Sequence, residues 1–294
     1  MPVSEDQLST WSHQGAIATS STTYNSIKSS LATLSNGSHD YRYEIFLQGS
    51  YSNDTNVYKE SDVDVVIMLT SLFTYNIDNL PEQQKSTFQQ SYSNSIQNRN
   101  DFKKIVFDTL CTYYGRQNVV VGNKSIKITG SSNRRNADVI VCNEFRDYKF
   151  FISRDNSSYD EGIVFNSATE NSIKNFPKLH SMFCTQKHQR TGAKFKPIVR
   201  IFKNIKNNLI SNNKIRDNVA PSYYLEGLLY NVPDTAFAGS YNQIIHNAVG
   251  YFRKADESSF TMPNEKDLLF GASSIQWNIS DCREYLDALI ALVG

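Results

Sequence analysis

Two aspartates, Asp62 and Asp64, stand one residue apart at the head of an apolar run that continues through Val65, Val66, Ile67 and Met68 to Leu69. Side chains alternate faces along a strand, so the two carboxylates share one face while Val63 and Val65 enter a core. Like charges at the mouth of a buried strand repel and are costly to desolvate. A divalent cation relieves both costs, and carboxylates with water and phosphate oxygens suit Mg²⁺. Upstream, the apolar stretch Ile45-Phe46-Leu47 closes on Gln48-Gly49-Ser50. Gly49 permits a tight turn, and Ser50 offers a hydroxyl and a backbone N–H at the expected start of a helix, a corner that can hold a phosphate. The pair of runs reads as a metal–triphosphate site.

A third carboxylate, Asp138, opens a later apolar run from Ala137 to Cys142. A two-metal centre requires such a residue, because each ion needs its own ligand plus a shared one. The plainer alternative is three strand-end aspartates facing solvent, and Asp-x-Asp alone is a weak motif. All three, however, begin apolar runs, where a free charge is expensive.

Periodicity supplies the rest of the frame. Residues 4–35 are expected to form one long helix, capped by Ser4 with Gln7, striped by Leu8, Trp11, Tyr24, Ile27, Leu31 and Leu34, and stopped at Asn36-Gly37. Tyr43–Gln48 and Asp62–Leu69 read as strands. A polar helix is expected from near Glu82, with a better-patterned continuation through Phe102, Ile105, Val106, Leu110 and Tyr113 to Gly115. Asn118–Val121 and Ser125–Thr129 form a hairpin around Gly122-Asn123. From about residue 166 the pattern is helical: Phe176–His188, Phe195–Ile210, Pro221–Val232, Tyr241–Phe252 and Asp281–Val293, the last capped by Ser280. The expected class is α+β, with a mixed-sheet lobe at 1–165 and an all-helical lobe at 166–294.

The segment from Asn171 to Arg216 contains no Asp or Glu, while Lys and Arg recur. On its second helix Lys196, Arg200 and Lys203 share a stripe, which is either a solvated face or a source of cations for phosphate. Ser222-Tyr223-Tyr224 opens the next helix, where a tyrosine either packs in the core or stacks on a nucleobase. His180, Cys184 and His188 recur at one-turn spacing. A closed zinc site needs a fourth ligand and none is adjacent, so a partly buried polar seam is the preferred reading.

Thirty basic and twenty-nine acidic residues leave a formal charge of +1, which gives no argument for binding extended duplex nucleic acid. Four scattered cysteines without a CxxC pair fit reduced thiols rather than a disulfide scaffold. The polar, acidic start is not a secretory signal, and no apolar run approaches a membrane span, so a soluble cytoplasmic protein is expected.

These residues resemble the polymerase-β-type nucleotidyltransferases, and more narrowly the bacterial cGAS/DncV-like (CD-NTase) family of anti-phage signalling enzymes. Gln48-Gly49-Ser50, Asp62-Val63-Asp64 and Asp138 take the family's Gly-Ser and acidic-triad places. Arg200-Ile-Phe-Lys203 is similar to the segment whose lysine contacts the donor triphosphate. Ser222-Tyr223 is similar to the pair in which serine binds phosphate and tyrosine stacks on the donor base. The resemblance implies a nucleotidyltransferase lobe with a long spine helix, followed by a helical lobe. It implies a Mg²⁺-dependent (or Mn²⁺-dependent) bacterial enzyme that condenses nucleoside triphosphates into a cyclic di- or trinucleotide messenger, releasing pyrophosphate, in anti-phage (CBASS) signalling. It further implies an effector protein that binds the product; a monomer is favoured. Two alternatives stay open: nucleotidyl transfer to an antibiotic, protein or RNA end, or into a linear oligonucleotide, and a non-catalytic nucleotide or RNA sensor.

Overall fold

The structure, a computed structural model, describes residues 3–15, 17–32, 34, 41–59, 62–93, 99–169, 172–273 and 275–293. Its contacts divide the chain into two compact units: residues 18–48 with 62–178, and residues 1–17 with 49–61 and 179–294.

The first unit is built on a seven-stranded mixed sheet. Its strands are β1 (Tyr43–Leu47), β2 (Val63–Asn76), β3 (Val119–Val121), β4 (Ile126–Ile128), β5 (Ala137–Ser153), β6 (Asn156–Asn166) and β7 (Ser172–Asn175). The order is β1-β2-β5-β4-β3, with β6 on β5 and β7 on β6; β2 and β5 run parallel and the other pairs antiparallel. Alternation shows at once: Val63, Val65 and Val139 are fully buried, while Asp64 and Asp138 between them are half-buried. Helices α2 (Ile17–Leu31), α4 (Glu82–Ser91) and α5 (Arg99–Tyr114) accompany the sheet. The α2 helix is tied to it by Tyr24 Oη donating to Ile45 O and Tyr43 Oη donating to Leu31 O.

The sheet exceeds expectation. β2 runs past Leu69, β5 past Cys142, and β6 and β7 lie in stretches without a strand assignment from sequence. The extension is stabilised by an aromatic cluster of Phe88, Tyr148 and Phe151, flanked by Phe73, Tyr92 and Tyr159. Inside it Glu144, 4 % exposed, takes a bidentate pair from Arg146, whose guanidinium lies 3.9 Å from the Phe73 ring centroid.

The second unit contains α1 (Glu5–Trp11), α3 (Gly49–Ser52), most of α6 (Pro177–Arg190), α7 (Phe195–Ser211), α8 (Ser222–Tyr230), α9 (Tyr241–Phe252) and α10 (Ile279–Val293). One core joins α1 with α6 to α10, including Leu8, Phe195, Phe202, Leu228, Ile244, Trp277 and Tyr285. Glu5 reaches α9 and accepts hydrogen bonds from the backbone N–H groups of Tyr241 and Asn242.

Two local expectations are corrected. The single helix over 4–35 is two, α1 ending at Trp11 and α2 starting at Ile17. Gly15 N donates to Asn56 O (3.1 Å) and Asn56 Nδ2 donates to Gly15 O (2.8 Å), diverting the backbone groups a continuous helix would pair internally. A Cβ on Gly15 would lie 2.7 Å from the backbone of Val57 and Tyr58, so this approach needs glycine. Ser4 does cap α1, accepting from Gln7 N, whereas the expected stop at Asn36-Gly37 lies outside the described residues. Ser280 lies inside α10; Asn278 Oδ1 accepts from Ser280 N and serves the helix start instead.

Candidate active site

The sheet unit carries the carboxylates. Asp64 and Asp138 are register partners across the parallel β2–β5 pair, and exposed Asp62 precedes β2 by one residue. Directly opposed side chains share a face about one strand spacing apart, roughly 4.8 Å. Ser125 Oγ donates to Asp138 Oδ1 at 2.5 Å, a short charge-assisted bond that fixes this carboxylate. On the first strand's end, Gln48 N donates to Asp64 O at 3.0 Å. The Gln48 Oε1 atom is buried without a hydrogen-bond partner among the described residues. Carboxylate oxygens arranged on one face, with a serine hydroxyl behind one of them, are the donor set of a hard divalent cation.

The helical unit carries the residues expected to meet a nucleotide. Gly49 has φ +66 and opens α3, which includes Ser50. The chain then folds back, Asn53 N bonding Gly49 O and Thr55 N bonding Ser50 O. The cationic stripe of α7 grips this segment. Lys196 Nζ lies 2.8 Å from Asp54 Oδ2, and Arg200 donates to Asp54 O. Lys203 Nζ donates to Thr55 Oγ1 (3.1 Å) and pairs with Glu226 Oε1 (2.7 Å).

Lys203 is 1 % exposed, so its ammonium is engaged in a buried ion pair. The lysine expected to hold a triphosphate thus has a competing partner, which no local pattern announces. Lys206, one turn further along α7, donates from Nζ to Ser222 Oγ at 3.1 Å. Sequence reasoning missed both Lys206 and Glu226. The available signal is that Glu226 lies one turn beyond Ser222-Tyr223, on the same helix as those residues.

Glu226 is a hub. Its carboxylate accepts from Asn53 Nδ2 (2.8 Å), Thr55 Oγ1, His180 Nε2 (2.9 Å) and Lys203 Nζ (2.7 Å). Burial pushes this carboxyl up, but Lys203 and His180 outweigh burial and hold it well below the usual carboxylate range. The His180 ring stacks on Tyr223, centroids 5.2 Å apart. Burial, then Glu226, drives the Cys184 thiol well above its ordinary value. His180, Cys184 and Glu226 have ligand atoms within 4.8 Å of one another. Lys203 pairs with that carboxylate, so His180 and Cys184 stand beside a buried ion pair rather than beside His188, the third residue of the sequence triplet. His188 is elsewhere, its Nδ1 accepting from Lys196 N.

Comparison with known proteins settles the family. Residues 182–294 match the cGAS/DncV-like nucleotidyltransferase C-terminal helical domain. Over 292 residues the chain is 38 % identical to the cyclic UMP-AMP synthase of Rhodothermus marinus, covering 97 % of this chain and 96 % of that protein. The chain belongs to the cGAS/DncV-like nucleotidyltransferase family. Among other CD-NTases, it is 36 % identical to the cyclic nucleotide synthase CdnE01 of Staphylococcus haemolyticus, covering 97 % of each. The solved structure of the Rhodothermus marinus CdnE c-UMP-AMP synthase with Apcpp and Upnpp aligns with TM-score 0.87 at 37 % identity, over 99 % of this chain and 96 % of that one. The CD-NTase relatives named here are cyclic nucleotide synthases, and the α+β class with a C-terminal helical domain is theirs as well. Among the described residues no helix is long and apolar enough to cross a membrane.

Proposed function

We propose that this CD-NTase condenses nucleoside triphosphates into a cyclic oligonucleotide with release of pyrophosphate, in the cytoplasm of a bacterium and in anti-phage (CBASS) signalling. The observation that carries the proposal is the Asp64–Asp138 register pair with Asp62 one residue before its strand. A non-catalytic sensor has no use for two carboxylates opposed on adjacent strands with a third one residue before the first strand.

Asp62, Asp64 and Asp138 would hold Mg²⁺ or Mn²⁺, which when bound lowers the pKa of an acceptor hydroxyl and offsets charge on the transferring phosphoryl group. The chain's own residues do the rest. Ser125 keeps the Asp138 carboxylate turned to its task. Gln48, through its unpartnered Oε1, accepts a hydrogen bond from the bound reactants. Gly49 and Ser50 hold phosphate oxygens at the corner. Ser222 and Lys206 hold the triphosphate, Lys203 acting behind them by fixing Thr55, and Tyr223 stacks on the base. Residues 1–165 form the catalytic part and 166–294 complete the nucleotide pocket.

The Rhodothermus relative is named for a product joining UMP and AMP, which makes UTP and ATP the first pair to try. Pyrophosphate release from these two alone, with no other acceptor present, is the expected outcome. Release only on adding an aminoglycoside, a protein or an RNA end would replace the proposal with transfer to that acceptor. The product's effector protein and the enzyme's monomeric state belong to the same proposal.

A further inference from the structure

Behind Tyr223 stands a buried polar assembly that nucleotidyl transfer by itself does not call for. His180 is 3 % exposed, and its ring is stacked against that of Tyr223 with an interplanar angle of 23°. His180 Nε2 meets Glu226 Oε2 at 2.9 Å, while Nδ1 is buried without a hydrogen-bond partner among the described residues. Nε2–H therefore donates to the carboxylate, and this bond is the imidazole's polar tether. That tether is rigid, because Glu226 is held at the same time by Asn53, Thr55 and Lys203. For packing alone a phenylalanine would fill this face without burying a nitrogen that lacks a partner. What the imidazole adds is orientation, since one edge is fixed by a carboxylate and its face by a phenol.

We propose that His180 is a positioning residue for nucleobase recognition: oriented by Glu226, its imidazole backs Tyr223 and holds the phenol ring in the plane that stacks on the base of a bound nucleoside triphosphate. The inference rests on the assignment of Tyr223 as the base-stacking residue. A ring fixed beforehand loses less side-chain freedom on binding.

Three variants test it: H180A, H180F and Y223A. Each is measured for KM and kcat with the preferred triphosphates, for quenching of 2-aminopurine riboside triphosphate fluorescence on mixing, and for melting temperature. H180A should raise KM about tenfold with kcat nearly unchanged and should weaken the quenching, in line with the usual worth of one base–aromatic stack. H180F keeps a ring but not the tether, so it should stay folded with a somewhat lower melting temperature, Glu226 having lost one of its four partners, and still show raised KM and reduced quenching. Parental KM and quenching in H180F would overturn the proposal, and so would parental quenching in folded H180A. H180F decides alone if H180A does not fold. Undiminished quenching in Y223A would instead overturn the base-stacking assignment itself. Loss in Y223A with none in H180F would remove only the role of His180.

Discussion

Asp64 and Asp138 face each other as register partners on adjacent parallel strands, although they stand 74 positions apart in the sequence. The valines beside them, Val63, Val65 and Val139, are fully buried, so the sheet presents both carboxylates on one side and seals the other. Each acid is fixed by core packing of its sequence neighbours, which is a rigid way to position a charged group.

The double substitution D62N/D64N keeps side-chain volume and removes both charges. Product formation should fall below detection while circular dichroism and melting stay close to those of the parent protein. Near-parental turnover from the folded double variant would remove these residues from the catalytic assignment.

The Ser125 hydroxyl acts through the Asp138 carboxylate, to which it donates. S125A should therefore raise the Mg²⁺ or Mn²⁺ concentration needed for half-maximal rate by about tenfold, the usual cost of losing a group behind a metal ligand. A titration of activity against metal concentration reads this directly, and an unchanged midpoint would contradict the role given to the 2.5 Å bond.

Lys203 and Lys206 lie three residues apart on α7 but should fail differently. K206A should raise the KM for triphosphate with little change in melting temperature. K203A leaves Glu226 buried without its strongest partner, and breaking a buried pair costs about 3–5 kcal/mol. It should show as a lowered denaturation midpoint. A stable K203A with the larger KM effect would return the triphosphate role to Lys203.

The Glu226 carboxyl titrates below its ordinary range in the folded protein because Lys203 and His180 overcome the effect of burial. The unfolded chain, with an ordinary carboxyl near 4.3, then binds the extra proton first. Stability from this group is fully present above about pH 4.3 and is lost as pH falls toward the folded value. Denaturation midpoints of the parent and E226Q should therefore converge as pH drops below about 4.3. A difference that is constant from pH 7 to pH 3 would contradict the account.

The candidate site's residues stand in short local patterns, Gln48-Gly49-Ser50 and Asp62-Val63-Asp64. Strand alternation accounts for Asp64 between the buried Val63 and Val65, whereas Asp62 precedes β2 and alternation does not reach it. Asp138 was legible as the head of a second apolar run, though its pairing with Asp64 depends on parallel register. Helices α6 to α10 were legible from period alone; Tyr241–Phe252 coincides with its expected bounds. What failed depended on distant partners. Charges in the stretch from Glu144 to Lys149 hide a strand, because Glu144 is neutralised by Arg146 and the guanidinium is packed on Phe73. Gly15 looked tolerable inside a helix until Asn56 arrived to take its backbone groups. Lys203 looked available until Glu226, 23 residues on, claimed it.

The most direct test incubates the folded protein with ATP, GTP, CTP and UTP and Mg²⁺ or Mn²⁺, treats the mixture with phosphatase, and weighs what survives by mass spectrometry. The account predicts a phosphatase-resistant cyclic oligonucleotide, absent from D62N/D64N, whose mass names the joined bases. Resistant linear oligomers, or no product until a separate acceptor is supplied, would contradict it.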